Sequence, residues 1–229
     1  RAMDRLAQDD TLKLVHLRYN SNLSRVRLGK HYLYDWLPQA KDWTMCASID
    51  GTGWIGEFIR TGLKWDEWDK NFREGVALPG GHDKMLMDLT LTGPGMLDLK
   101  NFFDYAIELD VKIETKRMFA FHSDIVFSPM AWPRHILDRV IHENLDYIRP
   151  RATHKQETLI RELENMLTVP TFEEQWPDEH EDNFFRGRKW QRRIAEMRLE
   201  EKTTIEDVYK LDSELYDWWM RTDLKDNQR

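Results

Sequence analysis

Four short apolar segments alternate with helical patterns over the first half of the chain, and this order constrains the fold most. The segments predicted as strands are residues 12–19, 43–49, 85–91 and 112–121. Apolar residues recur every three or four positions between them, most clearly in residues 65–76 and 97–109. Strands that alternate with helices usually form a parallel sheet with right-handed crossovers. The sequence therefore predicts an α/β fold with neighbouring parallel strands in chain order.

The pattern becomes purely helical after about residue 121. Helix starts are predicted at Ser128 and Pro133, because serine and proline are common at the first positions of helices. Further helices are predicted at residues 154–167, 184–200 and 204–221, with an acidic loop around residues 178–182. We expect residues 1–150 to form the sheet-containing part and residues 151–229 a helical extension packed on it.

The composition restricts the compartment and the partners. No run approaches the length of a membrane span, no signal peptide opens the chain, and Cys46 is its only cysteine. We therefore expect a cytoplasmic protein without a membrane partner, in which Cys46 is a small buried side chain. The chain begins with Arg1 instead of methionine, which suggests a processed product or a fragment.

The charge distribution gives two interpretations of one basic segment. A net charge of -7 argues against a general nucleic-acid-binding protein. The basic run at residues 186–193 follows the acidic residues 178–182, which indicates charge compensation on a solvated helix, with nucleic-acid contact as the less favoured alternative. Ten tryptophans are interpreted mainly as core and interface residues, with base-stacking platforms as the less favoured alternative, and the eight histidines show no zinc-binding spacing.

Mostly polar residues lie at or just after the ends of the predicted strands, where parallel sheets place their ligands. The pairs are Asn20 and Asn22, Ser48 and Asp50, Thr90 and Thr92, and Phe121 and His122. Because the carboxyl ends of parallel strands share one edge, these positions predict one continuous site. Each pair also has a simpler explanation, since asparagine, serine and aspartate favour turns.

Arg60 is a candidate ligand-binding residue at the same edge. It lies twelve residues after Ser48. We expect a strand end, a turn and a short helix within these twelve residues to place its guanidinium over the end of the strand. Arginine binds carboxylates through two parallel hydrogen bonds. The alternative is a solvated arginine at a helix terminus.

Three motifs in this region resemble those of a known enzyme superfamily. They read YNSNLS at residues 19–24, ASIDG at residues 47–51 and EFIRTGLKWD at residues 57–66. In this order they are similar to the second half of a radical SAM core, and most similar to the twitch-domain group common among phage and marine metagenomic proteins. The resemblance covers residues 12 to about 125.

The resemblance implies a partial (β/α)6 TIM-like barrel that binds S-adenosylmethionine over a 4Fe-4S cluster. Such an enzyme reductively cleaves S-adenosylmethionine to a 5′-deoxyadenosyl radical, which abstracts hydrogen from a substrate. The substrate here is unknown and is expected to be a peptide or a small molecule.

The resemblance also implies roles for individual residues. Ser48 and Arg60 match the positions that contact the methionyl carboxylate or the ribose. The remaining cofactor-binding candidates are Asn22 and Asp50 on the same edge, and Thr90 and Leu91 near the adenosyl group.

The chain departs from the family in one respect. The family's Cys-x-x-x-Cys-x-x-Cys loop and its Gly-Gly-Glu-type motif follow the first two strands, and neither occurs here. We therefore expect the first two strands and the cluster ligands upstream of this chain. Two alternatives remain: a cluster-less relative that keeps the fold, and a non-catalytic α/β binding or scaffold protein that uses its tryptophan-rich helices as an interface.

Overall fold

The structure is a computed structural model, and it describes residues 2–118, 126–198 and 203–221. The strands are β1 (His16–Ser21), β2 (Arg27–Leu28), β3 (His31–Tyr32), β4 (Asp42–Ser48), β5 (Met85–Leu91) and β6 (Lys112–Arg117). The first helices are α1 (Ala2–Gln8), α2 (Leu33–Trp36), α3 (Gly53–Ile59), α4 (Trp65–Val76), α5 (Gly81–Lys84), α6 (Gly93–Leu97) and α7 (Leu99–Glu108). The later helices are α8 (Arg134–Ile148), α9 (Glu157–Thr168), α10 (Phe172–Gln175), α11 (Pro177–Met197), α12 (Ile205–Tyr209) and α13 (Ser213–Met220).

Four strands form one parallel sheet in the order β1-β4-β5-β6. This confirms the predicted parallel pairing in chain order. The strands β2 and β3 form a separate antiparallel hairpin after β1, which the sequence pattern did not predict.

The sheet strands differ most from the predicted segments at two ends. The strand predicted to start at residue 12 starts at His16, because Thr11–Leu14 forms a 3-10 turn that buries Leu12 and exposes Leu14. The strand β6 ends at Arg117, and the predicted strand end at Phe121 and His122 lies outside the described residues.

The helix predicted over residues 97–109 is α7, which begins at Leu99, directly after Asp98, and ends at Glu108. Two other helical predictions need correction. The predicted acidic loop is the start of α11, because Pro177 occupies its first turn and acidic residues there suit the positive end of the helix dipole. The helix predicted over residues 204–221 is two helices, with Asp212 capping the second.

The core lies on one face of the sheet, where helices pack against the apolar side chains of β4 and β5. One continuous cluster of buried hydrophobic residues joins Met87 of β5 with Leu163 of α9 and Trp219 of α13. A hydrogen bond also connects two buried residues outside the sheet: the indole nitrogen of Trp132 donates to the hydroxyl of Tyr209 at 3.4 Å. The helices after residue 150 therefore bury their apolar faces against the sheet-containing part.

No helix in the described part of the chain combines the length and the apolar character needed to cross a bilayer.

Candidate functional site

The face of the sheet opposite the core carries a row of polar side chains. The register of the strands places Ser48 beside Asp88 and Asp88 beside Glu114, and it places Thr90 beside Lys116. Because side chains alternate between the two faces of a strand, these residues share the face opposite Met87 and Leu89. Both faces of a parallel sheet are usually apolar. The polar side chains on this face are therefore candidates for binding a polar ligand.

Asp50 connects β4, β5 and α3 at the carboxyl edge of this face. Its Oδ2 accepts a hydrogen bond from Nε of Arg60 at 2.7 Å, and its Oδ1 accepts one from the main-chain nitrogen of Thr90 at 2.9 Å. The side chain of Asp50 is 9% exposed and that of Arg60 is 30% exposed. The carboxylate thus extends the β4–β5 pairing beyond the last residue of β4 and neutralises the guanidinium.

The backbone between β4 and α3 brings Arg60 back to the strand end. Gly56 in the first turns of α3 packs directly on the carbonyl of Gly51, with no room for a Cβ atom. The carboxylate of Asp98 accepts hydrogen bonds from the main-chain nitrogen and the hydroxyl of Thr52, and from Nδ2 of Asn101. Burial raises the pKa of Asp98. These contacts fix the start of α3, and Arg60 follows directly after its last turn.

Ser48 belongs to a second group of contacts on the same face. Its hydroxyl donates to Oδ2 of Asp88 at 3.3 Å, and Nζ of Lys116 binds Oδ1 of the same carboxylate at 2.7 Å. The structure therefore joins Arg60, Asp50 and Thr90 directly, while Ser48 is connected to Asp88 and Lys116. Asp88 and Thr90 are two residues apart on β5, so the two groups are adjacent.

Two further candidate residues lie apart from these contacts. Asn22 is exposed in the turn after β1, where its side-chain oxygen accepts hydrogen bonds from the main-chain nitrogen and the hydroxyl of Ser24. Leu91 is fully buried in the apolar core, on the opposite side of β5 from Thr90. Within the described residues, no hydrogen bond joins Asn22 to Asp50 or Arg60, and Leu91 lies on the opposite face of β5 from the polar side chains.

Sequence reasoning missed Asp88 and Lys116. The signal was present in β5, where one aspartate interrupts the otherwise apolar segment MLMDLTL. An acidic residue inside a buried parallel strand needs a partner of opposite charge. The alternation of β6, which places Glu114 and Lys116 on one face, supplies that partner.

The donor set of the chain does not fit an iron–sulfur cluster. Such clusters are normally held by several thiolates, whereas Cys46 is the only cysteine and is buried in β4. Within the described residues, no group of three or more histidine, cysteine or acidic side chains converges as a metal site would require. At the carboxyl edge, the side chains present are instead hydrogen-bond donors and acceptors suited to an organic ligand.

Comparison of the chain with protein-family models, with curated proteins and with solved structures finds no match. The resemblance to radical SAM enzymes therefore rests on the three sequence motifs.

Proposed function

We propose that this chain is the carboxyl-terminal part of a radical SAM core and binds S-adenosylmethionine at the carboxyl edge of β4 and β5. The observation that carries this proposal is the position of the ASIDG and EFIRTG motifs. They form a strand end and a helix end joined through Asp50 and Arg60, on the polar face of a parallel sheet. Ligands of parallel α/β folds bind at this edge.

The side chains at this edge match the chemistry of S-adenosylmethionine. Nε of Arg60 is bound to Asp50, and no other described side chain is bound to its two terminal nitrogens, which are available to a methionyl carboxylate. The hydroxyl of Ser48 and the side chain of Thr90 lie on the same face and suit ribose hydroxyls. S-adenosylmethionine supplies the precursor of the 5′-deoxyadenosyl radical, and the residues of this chain hold and orient it.

The unpaired edge of the sheet at β1 supports the proposal of a partial (β/α)6 barrel. Within the described residues, β1 has a strand partner on one side only. Beside that edge lies a mainly apolar groove of about 600 Å³, lined in part by Val26, Leu28, Leu33 and Trp36. Leu28 is exposed there, although apolar side chains in such a groove are normally covered. A further strand with its helix would cover them, as the (β/α)6 arrangement requires.

The tryptophans give weaker support to a scaffold function. Seven of the ten are buried or half-buried, and the three exposed ones lie on different helices or turns. The exposed ones are Trp54, Trp176 and Trp190. They do not form the contiguous apolar patch by which interaction surfaces are recognised.

The coding sequence 5′ of the Arg1 codon tests the proposal first. We expect a Cys-x-x-x-Cys-x-x-Cys motif within roughly one hundred residues upstream, at the distance two βα units require. The protein expressed with that segment should bind iron and sulfide after anaerobic reconstitution, whereas the present chain alone should not. An open reading frame without such a cysteine motif would contradict the proposal.

A further inference from the structure

The middle of α11 presents a strongly basic surface. Five cationic side chains and one acidic side chain line a groove of about 730 Å³ together with Phe185. The charged residues are Arg186, Arg188, Lys189, Arg192, Arg193 and Glu196. This basic face of α11 shares no residue with the site at the sheet edge.

Three of these cations have no acidic partner in the described part of the chain. Arg192 binds Glu206 at 2.9 Å, and Arg188 donates to the main-chain carbonyls of Trp219 and Arg221. Among the described residues, no carboxylate lies within salt-bridge distance of Arg186, Lys189 or Arg193. Their charges therefore stay uncompensated by the described structure.

At the acidic start of α11, Glu181 forms an ion pair with a residue outside the basic run. Glu181 binds Arg221 at 2.9 Å, at the end of α13, and not the basic run. Glu181 thus joins α11 to the end of α13. Acidic residues in the first turn of α11 also suit the helix dipole, which favours negative charge there.

The spacing of the three cations fits a phosphate backbone. Arg186, Lys189 and Arg193 are spaced by three and four residues, so they lie on one side of the helix over about 10 Å. A cationic track of this length can contact neighbouring phosphates of one nucleic-acid strand. Trp190 follows directly after Lys189 and is 37% exposed.

We propose that the basic face of α11 binds single-stranded nucleic acid, with Arg186, Lys189 and Arg193 on the phosphates and Trp190 stacked on a base. Exposed aromatic rings beside a cationic track are the usual way of binding unpaired strands, because every base offers a face for stacking. A membrane surface fits less well, since the apolar side of α11, with Phe184, is buried in the core and is not available for insertion. The net charge of -7 does not oppose a local site of this kind.

Fluorescence anisotropy with a labelled twelve-nucleotide oligo-dT tests the proposal on the full chain. The variant Arg186→Ala/Lys189→Ala/Arg193→Ala should weaken binding at least tenfold in 50 mM salt. The control Lys41→Ala/Lys64→Ala/Arg161→Ala changes the net charge equally at three exposed positions without a described acidic partner, and it should bind like the unmodified chain. Trp190→Ala should weaken binding about fivefold or more through the loss of stacking.

The salt dependence adds a second readout. About 0.7 counterions are released per phosphate contact with a single strand, so the triple variant should lower the slope of log Kd against log salt by about 2. Equal weakening by the triple variant and its control would overturn the proposal. Tighter binding of a duplex of the same length would overturn the single-strand assignment, and so would preferential binding to phosphatidylserine vesicles.

Discussion

Replacing Asp50 with alanine tests how the carboxyl edge of the sheet is held together. The carboxylate is nearly buried and binds two partners, the Nε of Arg60 and the main-chain nitrogen of Thr90. Its removal leaves a guanidinium without its counter-ion and a main-chain donor without its acceptor. Neither loss is compensated by another described side chain.

The cost of Asp50→Ala follows from these two losses. Removing one partner of a buried ion pair costs about 3–5 kcal/mol. Because Arg60 is 30% exposed and water screens its charge, we expect a cost at or below the lower end of that range. An unpaired main-chain donor adds about 1 kcal/mol when water reaches it in part. We expect a total of about 3 kcal/mol, which for a chain of 229 residues lowers the melting temperature by about 6–12 °C.

Thermal unfolding followed by circular dichroism measures this effect. Asp50→Asn keeps an acceptor for the Thr90 nitrogen and should lose about half as much stability. Asp146→Ala, at an exposed position of α8 with no described partner, is the control and should shift the midpoint by less than 2 °C. A melting temperature of Asp50→Ala within 2 °C of the unmodified chain would refute the role given to this carboxylate.

Three further predictions concern other parts of the fold. Arg134 binds both carboxylate oxygens of Glu174 and two main-chain carbonyls around the end of α9. Arg134→Leu should therefore lower the free energy of unfolding in urea by about 2–3 kcal/mol. The control Arg161→Leu, at an exposed position, should leave it almost unchanged. The hydrogen bonds from Arg134 lower the pKa of Glu174 to about 2, so its stabilising effect is complete above pH 4.5 and is lost as the pH falls to about 2. The melting temperature should therefore drop over that pH range, and Glu174→Gln should reduce the drop. The same pH profile for Glu174→Gln and the unmodified chain would contradict the pairing of Glu174 with Arg134. A Cβ at Gly56 would overlap the carbonyl of Gly51, so Gly56→Ala should destabilise the chain by about 1–3 kcal/mol. Equal urea midpoints for Gly56→Ala and the unmodified chain would show that this turn is looser than described.

The sheet was predictable because its signal is local. Each parallel strand is a short apolar run, and each crossover helix has its own periodicity, so the order of β1, β4, β5 and β6 follows from the chain alone. The boundaries were less predictable where a tertiary contact decides them. Asp212 divides the helical pattern predicted over residues 204–221, and its carboxylate binds Arg139 of α8, 73 residues earlier in the chain.

The candidate site was predictable in its location but not in its pairing. Ser48, Asp50 and Thr90 follow or end strands, and they do lie at one edge of the sheet. The sequence could not show that Arg60 binds Asp50, since two oppositely charged residues ten positions apart have many possible arrangements. It also favoured a role for Leu91, whose burial depends on which face of β5 the helices cover.

Titration of S-adenosylmethionine tests the central claim most directly. Isothermal titration with the protein that includes the cluster-binding segment should show binding that Arg60→Ala weakens about ten- to a hundredfold, because a charged hydrogen bond contributes about 1.5–3 kcal/mol. Arg60→Lys keeps a positive charge beside Asp50 but loses the paired donors, so it should remain folded and still bind more weakly.

Two controls make the result decisive. Iron content should be the same in all variants, and Arg161→Ala, at an exposed position of α9, should bind S-adenosylmethionine like the unmodified protein. Melting curves ensure that each variant is folded at the temperature of the titration. Equal affinities of the unmodified protein, Arg60→Ala and Arg60→Lys would contradict the assignment of this edge as the S-adenosylmethionine site.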